Sequence, residues 1–178
     1  MKQNASLNSM NGDGNGWAAG PGGSRVWGRF GAAGLFLLAG AGPQQLVLLQ
    51  HRAPWTNAGG TWALPGGACD SHENSTEAAL REAVEECSID PEQVRVLHAE
   101  ITAGPFPPDP ADLTLAANWT YTTVIAQTAT GEVLETHGNE ESLELRWIPL
   151  ESLEEMPLMP AFAESLPELR QLINRLIS

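Results

Sequence analysis

Apolar and polar positions alternate along this chain in a way that predicts strands first, one central helix, more strands, and a helix at the end. Val26 to Ala39 is apolar enough for a buried strand region, with Gly34 as a candidate bulge. Ala41-Gly42-Pro43 predicts a turn, and Leu46 to Gln50 a short strand ending at His51-Arg52. Thr61 to Leu64 reads as a strand that runs into the Gly-rich turn Pro65-Gly66-Gly67. A helix is predicted from Ser75, with Asn74 as its cap and Glu77 completing a capping-box variant. Its apolar face is expected to be Ala79, Leu80, Ala83, Val84 and Cys87, with Asp90-Pro91 ending the element. Val94 to Ile101, Tyr121 to Gln127 and Leu143 to Ile148 carry strand patterning. Ala103 to Asn118, with four prolines between Pro105 and Pro110, reads as a long loop. Pro149 to Met156 suggests a short helix. From Pro160, Leu166, Leu169, Leu172, Ile173 and Leu176 fall at helical spacing, as in a docked amphipathic helix. This order of elements implies an α/β (α+β) fold, a mixed sheet flanked by helices.

Residues 1–23 are rich in Gly, Asn and Ser and almost devoid of branched apolar side chains, so a flexible tail is expected there, with the folded domain over 24–178. The chain of 178 residues is long enough for one domain with a real core. Its net charge of −13, from 22 acidic and 9 basic residues, argues against an open basic surface for a nucleic-acid polymer. The longest apolar run, Gly31 to Gly42, is too short to span a bilayer and begins too far in for a secretory signal. With only two cysteines, Cys69 and Cys87, a disulfide framework is not expected, and a reducing cytoplasm is the natural setting.

The chemistry concentrates between Gly66 and Ile89. Successive helix residues turn by about 100°, which puts Glu85 and Glu86 about 60° behind and about 40° ahead of Glu82, all on one arc expected to point away from the apolar packing face. Like charges at these spacings repel and weaken a helix. A hard divalent cation with oxygen ligands would offset that repulsion.

The spacing around these carboxylates is restrictive. Gly67 is followed after five residues by Glu73, and after seven more by Arg81-Glu82, then Glu85-Glu86, Ser88 and Ile89. This resembles the Nudix box, Gly-x5-Glu-x7-Arg-Glu-U-x-Glu-Glu-x-Gly-U, where U is bulky and apolar. Every charged position matches. Ser88 replaces the late glycine, and the first U is the small Ala83. The resemblance implies an α/β/α sandwich. It implies a Mg²⁺-dependent enzyme, with Mn²⁺ as an expected substitute, that hydrolyses the pyrophosphate of a nucleoside diphosphate linked to a further group.

Carried over residue by residue, the resemblance makes Glu82, Glu85, Glu86 and the carbonyl of Gly66 the metal ligands. It makes Glu73 and Arg81 an ion pair that orients the helix face, with direct phosphate contact the other reading for Arg81. The general base is Glu82 or, from the Asn139-Glu140-Glu141-Ser142 stretch, Glu141, which otherwise belongs to a solvated acidic run. Arg52 meets a substrate phosphate or makes a surface salt bridge. Gly67 lies at the substrate, and Tyr121 and Trp119 stack on a base or pack in the core. His51, His72, His98 and His137 show no ligand spacing.

A nucleoside triphosphate, including an oxidised one, is the first candidate substrate, and ADP-ribose or a nucleotide sugar the second. The competing class is a non-catalytic ligand-binding Nudix domain, a sensor. Retention of every box carboxylate argues for the enzyme. No membrane partner is expected, and a homodimer is compatible with the resemblance although no interface is readable.

Overall fold

The computed structural model describes residues 12–177. In chain order these form β1 (Trp17–Ala19), β2 (Arg25–Trp27), β3 (Ala32–Ala39), β4 (Leu46–Arg52), β5 (Trp62–Ala63), β6 (Gly66–Ala68), α1 (Ser75–Cys87), β7 (Val94–Phe106), β8 (Trp119–Thr128), β9 (Ser142–Pro149) and α2 (Pro160–Ile177). The main sheet runs β5-β4-β3-β8-β7, with β6 also pairing to β3 and β9 to β4. β3 and β8 are parallel, Ala32 to Leu38 facing Tyr121 to Gln127, while the other pairings are antiparallel. The fold is thus the expected mixed sheet between helices.

β3 is buried along its whole length because both faces of the sheet are covered. Phe36 and Leu38 join Val47, Leu49, Ile125 and Ile148 under α2, which contributes Phe162, Leu166, Leu169 and Ile173. Leu35 and Leu37 face the other way, with Leu48, Val124 and Ala126 beneath Ala79, Ala83 and Cys87 of α1. The alternation of side chains along each strand sorts the two cores. Burial on this scale stabilises by roughly 25 cal/mol per Å² of apolar surface.

β3 and β4 pair only at Leu38–Val47 and Ala39–Leu46 and then part. The fork is filled by one short segment, β5 alongside β4 and β6 alongside β3. That insertion carries Gly66 and Gly67 under the box helix. A Cβ on Gly66 would lie 2.2 Å from the Ala33 carbonyl oxygen, so no other residue permits this approach.

Several expectations need correction. Residues 17–23 were expected to be flexible tail, but β1 pairs with β2 and buries Ala18 and Ala19; residues 1–11 of that tail lie outside the described part. The strand region from Val26 to Ala39 is two strands, and Gly34 sits in unbroken register with β8 rather than in a bulge. Its missing side chain instead makes room for the Tyr121 hydroxyl, 2.1 Å from where a Cβ would sit. β7 continues to Phe106, so the Pro-rich loop begins later than expected. On α1, Val84 is exposed while Ala78 is buried. Among the described residues, no helix is long and apolar enough to cross a membrane.

Candidate active site

Local chemistry sets both ends of α1. The Asn74 side chain accepts from the Glu77 amide at 2.9 Å, and the Glu77 carboxylate accepts from the Asn74 amide at 2.9 Å, the expected capping box. At the other end Ser88 adopts the left-handed conformation, φ 57°, in the place a glycine would favour.

Arg81 is the hub of the helix face. Its Nε and Nη2 donate to the two oxygens of Glu73 at 2.6 and 3.1 Å. Nη2 also donates to the Ala68 carbonyl at 2.9 Å and Nη1 to Glu82 at 2.8 Å. Glu73 further accepts from the Asp70 amide. The Arg81 guanidinium holds the Glu73 carboxyl below the usual range. The Arg81–Glu73 ion pair, with the Ala68 contact, ties the box loop to the helix.

The carboxylates differ sharply in environment. Glu85 is largely exposed, 3.7 Å from Arg81. Glu86 is 3% exposed and accepts from the Gly66 amide at 2.9 Å. Burial, with the charges of Glu82 and Glu141 added, pushes its carboxyl up to about 8. Burial also raises Glu82, against the lowering effect of Arg81. The expectation that all three carboxylates point away from the packing face therefore fails at Glu86. Gly67 has no side chain where Glu82 lies; a Cβ there would meet its Oε1 at 2.6 Å.

Glu141 comes from another element yet belongs to the same cluster, since its charge acts on both Glu82 and Glu86. Its amide donates to Asn139 Oδ1 at 2.9 Å, and its carbonyl accepts from the Ala53 amide at 2.8 Å. Asn139 Nδ2 donates to the Glu85 carbonyl at 3.3 Å, tying this loop to the end of α1. Sequence reasoning missed Asn139; an Asn two residues before Glu141, able to form an Asx turn, was the available signal. Arg52 donates Nε to the Asn57 carbonyl at 2.8 Å, and its charge reaches Glu86 and Tyr121. Tyr121 sits behind this cluster, its hydroxyl over Gly34, with burial and the Glu86 charge pushing its pKa up so that it stays protonated.

Glu82 and Glu86 each spend one oxygen on a protein donor, Arg81 Nη1 and the Gly66 amide. Their second oxygens have no hydrogen-bond partner among the described residues. Two such oxygens in a crowded, partly buried acidic cluster suit a hard divalent cation, which restores the ionised forms that burial penalises. The Gly66 amide donates to Glu86, which places this residue beside the cluster.

A second acidic group lies on the outer side of the box loop, where ligand atoms of Asp13, Asp70 and His72 fall within 4.8 Å of one another. Spacing along the chain gave His72 no such neighbours. Asp70 accepts from the Gly14 amide, and Asp13 from the Ser71 amide and hydroxyl, so the cluster docks the segment before β1. The thiols of Cys69 and Cys87 are buried and free; burial pushes Cys69 up to about 11, so it stays protonated.

Residues 28–169 match the model of the NUDIX domain. A Mycobacterium tuberculosis protein provisionally named 8-oxo-dGTP diphosphatase 3 is 45% identical over 165 residues, covering 90% of this chain and 71% of its own length. The crystal structure of RenU, a Nudix hydrolase of M. smegmatis, superposes with a TM-score of 0.81 at 46% identity, covering 91% of this chain and 96% of that one. A C. elegans Ap4A hydrolase shares the fold at 17% identity, TM-score 0.60, covering 82% of this chain and 98% of that one.

Proposed function

The chain belongs to the NUDIX domain family of hydrolases acting on pyrophosphate bonds, and from that membership we propose that it is a Mg²⁺-dependent pyrophosphohydrolase whose first substrate class is the nucleoside triphosphates, oxidised ones included. The observation that carries the reading is the cluster of Glu82, Glu85, Glu86 and Glu141, in which two partly buried carboxylates each keep an oxygen free of protein donors. Glu82, Glu85, Glu86 and the Gly66 carbonyl are the groups that would hold Mg²⁺, or Mn²⁺ in its place. When bound, such an ion neutralises phosphate charge and acidifies water.

The chain's own residues supply the rest. Glu82 takes the proton of the attacking water, with Glu141 the alternative base. Arg52 meets a phosphate oxygen, a contact suited to a guanidinium. Gly67 leaves space for substrate to approach the box loop, and Tyr121 forms the back of the cluster. Arg81 and Glu73 position Glu82 rather than touch substrate. The 45%-identical relative named as an 8-oxo-dGTP diphosphatase supports nucleoside triphosphates ahead of ADP-ribose or nucleotide sugars.

The test is phosphate and pyrophosphate release from canonical and oxidised nucleoside triphosphates, ADP-ribose, nucleotide sugars and dinucleoside polyphosphates, each with Mg²⁺ or EDTA. Turnover of triphosphates that EDTA abolishes is the expected result. Mg²⁺-dependent binding without turnover of any of them would replace this reading with a ligand-binding sensor.

A further inference from the structure

The six tryptophans of the chain are not equivalent. Trp17 and Trp27 pack edge to face. Trp62 is stacked on His51, with Arg146 also over its ring. Trp119 is stacked on Phe106 and donates to the Trp27 carbonyl. Trp147 donates to the Leu134 carbonyl. Trp55 alone has no ring contact and no side-chain hydrogen bond among the described residues, and it is 66% exposed.

This exposure is not the fraying of a loose loop. The loop from residue 53 to 61 is closed at its base by Arg52 amide to Thr61 carbonyl, 2.9 Å, and Gly60 amide to Arg52 carbonyl, 2.9 Å. Within it, the Thr56 amide and hydroxyl both donate to the Ala53 carbonyl, and Thr61 does the same to Ala58. A rigid loop presenting an unpaired indole is preorganised for a flat partner.

The loop is also tied to the active site. Arg52, whose charge reaches Glu86, donates to Asn57 inside the loop, and the Ala53 amide donates to Glu141. Trp55 lies three positions after Arg52, which puts their Cα atoms at most about 11 Å apart. A ribose and two phosphates cover a comparable distance. The strand aromatics are already engaged: Tyr121 has its hydroxyl over Gly34 and its ring tilted against Trp119, which is itself stacked on Phe106.

We propose that Trp55 is the platform on which the nucleobase of the substrate stacks, while the phosphates lie at Arg52 and the box carboxylates. The proposal rests on the nucleotide reading above. It makes Trp55 a binding residue that favours nucleotides over base-free diphosphates.

Two uncleavable probes with Mg²⁺ test it by calorimetry: guanosine monophosphate, which has a base and no anhydride, and methylenebisphosphonate, which has the diphosphate shape and no base. Trp55→Ala is expected to weaken the monophosphate about tenfold and the bisphosphonate less than about twofold, with Trp55→Phe recovering most of the loss. Unchanged monophosphate affinity in Trp55→Ala, equal weakening of both probes, or no monophosphate binding by the parent would each overturn the proposal. Turnover of the substrate panel by the parent is scored separately. A parent that hydrolyses triphosphates but shows one of these results retains its proposed function and loses the platform.

Discussion

At the scale of single residues, Glu86 is the most consequential side chain. A carboxylate 3% exposed and pushed up to about 8 is held mostly protonated at neutral pH until a cation offsets its burial. Glu86→Gln keeps an acceptor for the Gly66 amide but loses the charge. Turnover is expected to fall by more than the roughly 10–100-fold typical of outer-shell changes. Because the folded value lies above the ordinary 4.5, this carboxyl contributes stability that is full below 4.5 and lost as pH rises through about 8. Melting of the parent in EDTA should therefore decline from about pH 5 to about pH 9. The Gln variant should decline less and be no less stable at the upper end; an identical pH profile would contradict the burial assigned to Glu86. Much of this was legible in the sequence, where spacing alone put Glu82, Glu85 and Glu86 on one arc. What was misjudged is the edge of that arc. Glu86 follows Ala79 and Ala83 at helical intervals of four and then three, so it shares their stripe against the sheet. A helical wheel that ranks residues by polarity cannot show this, because the acceptor role toward Gly66 comes from a strand outside the helix.

At the scale of elements, α1 was read almost whole: its start and its capping box follow from local side-chain chemistry, but it stops at Cys87, where Ser88 turns left-handed, three residues short of the Asp90-Pro91 expected to end it. The segment from residue 137 to 141 was not. It has no apolar period and looks like a solvated acidic run, yet it lies along the end of α1. The His137 amide donates to the Cys87 carbonyl, Ser88 Oγ to the His137 carbonyl, and Asn139 bridges Glu85 and Glu141. These are backbone and amide contacts between distant parts of the chain, which hydrophobic patterning does not encode. Asn139→Ala removes the bridge while leaving every carboxylate in place. Its kcat is expected to drop about tenfold, as when an outer group orienting a ligand is lost, with KM changing less and the melting temperature little. A variant with the parent's kcat would show that Glu141 needs no such anchoring.

At the scale of the whole molecule, the order of strands and helices predicted the sandwich, and the alternation along β3 and β4 sorts its two cores. Which strands are neighbours was beyond such a reading. Parallel pairing of β3 with β8 joins residues that no local signal connects, Ala32 with Tyr121 and Leu38 with Gln127. That pairing also sets an order of events during synthesis. The entire box leaves the ribosome before the strand that completes its support, and α1 meanwhile carries crowded like charges with only part of the sheet to lie on. A tethered chain stopped at residue 118 should be open to protease through the box, and one extended past Pro149 should resist it. Closing so large a loop favours slow refolding, on the order of milliseconds to seconds. For this protein, catalytic competence would be gained late and all at once, when a strand that carries none of the box glutamates arrives.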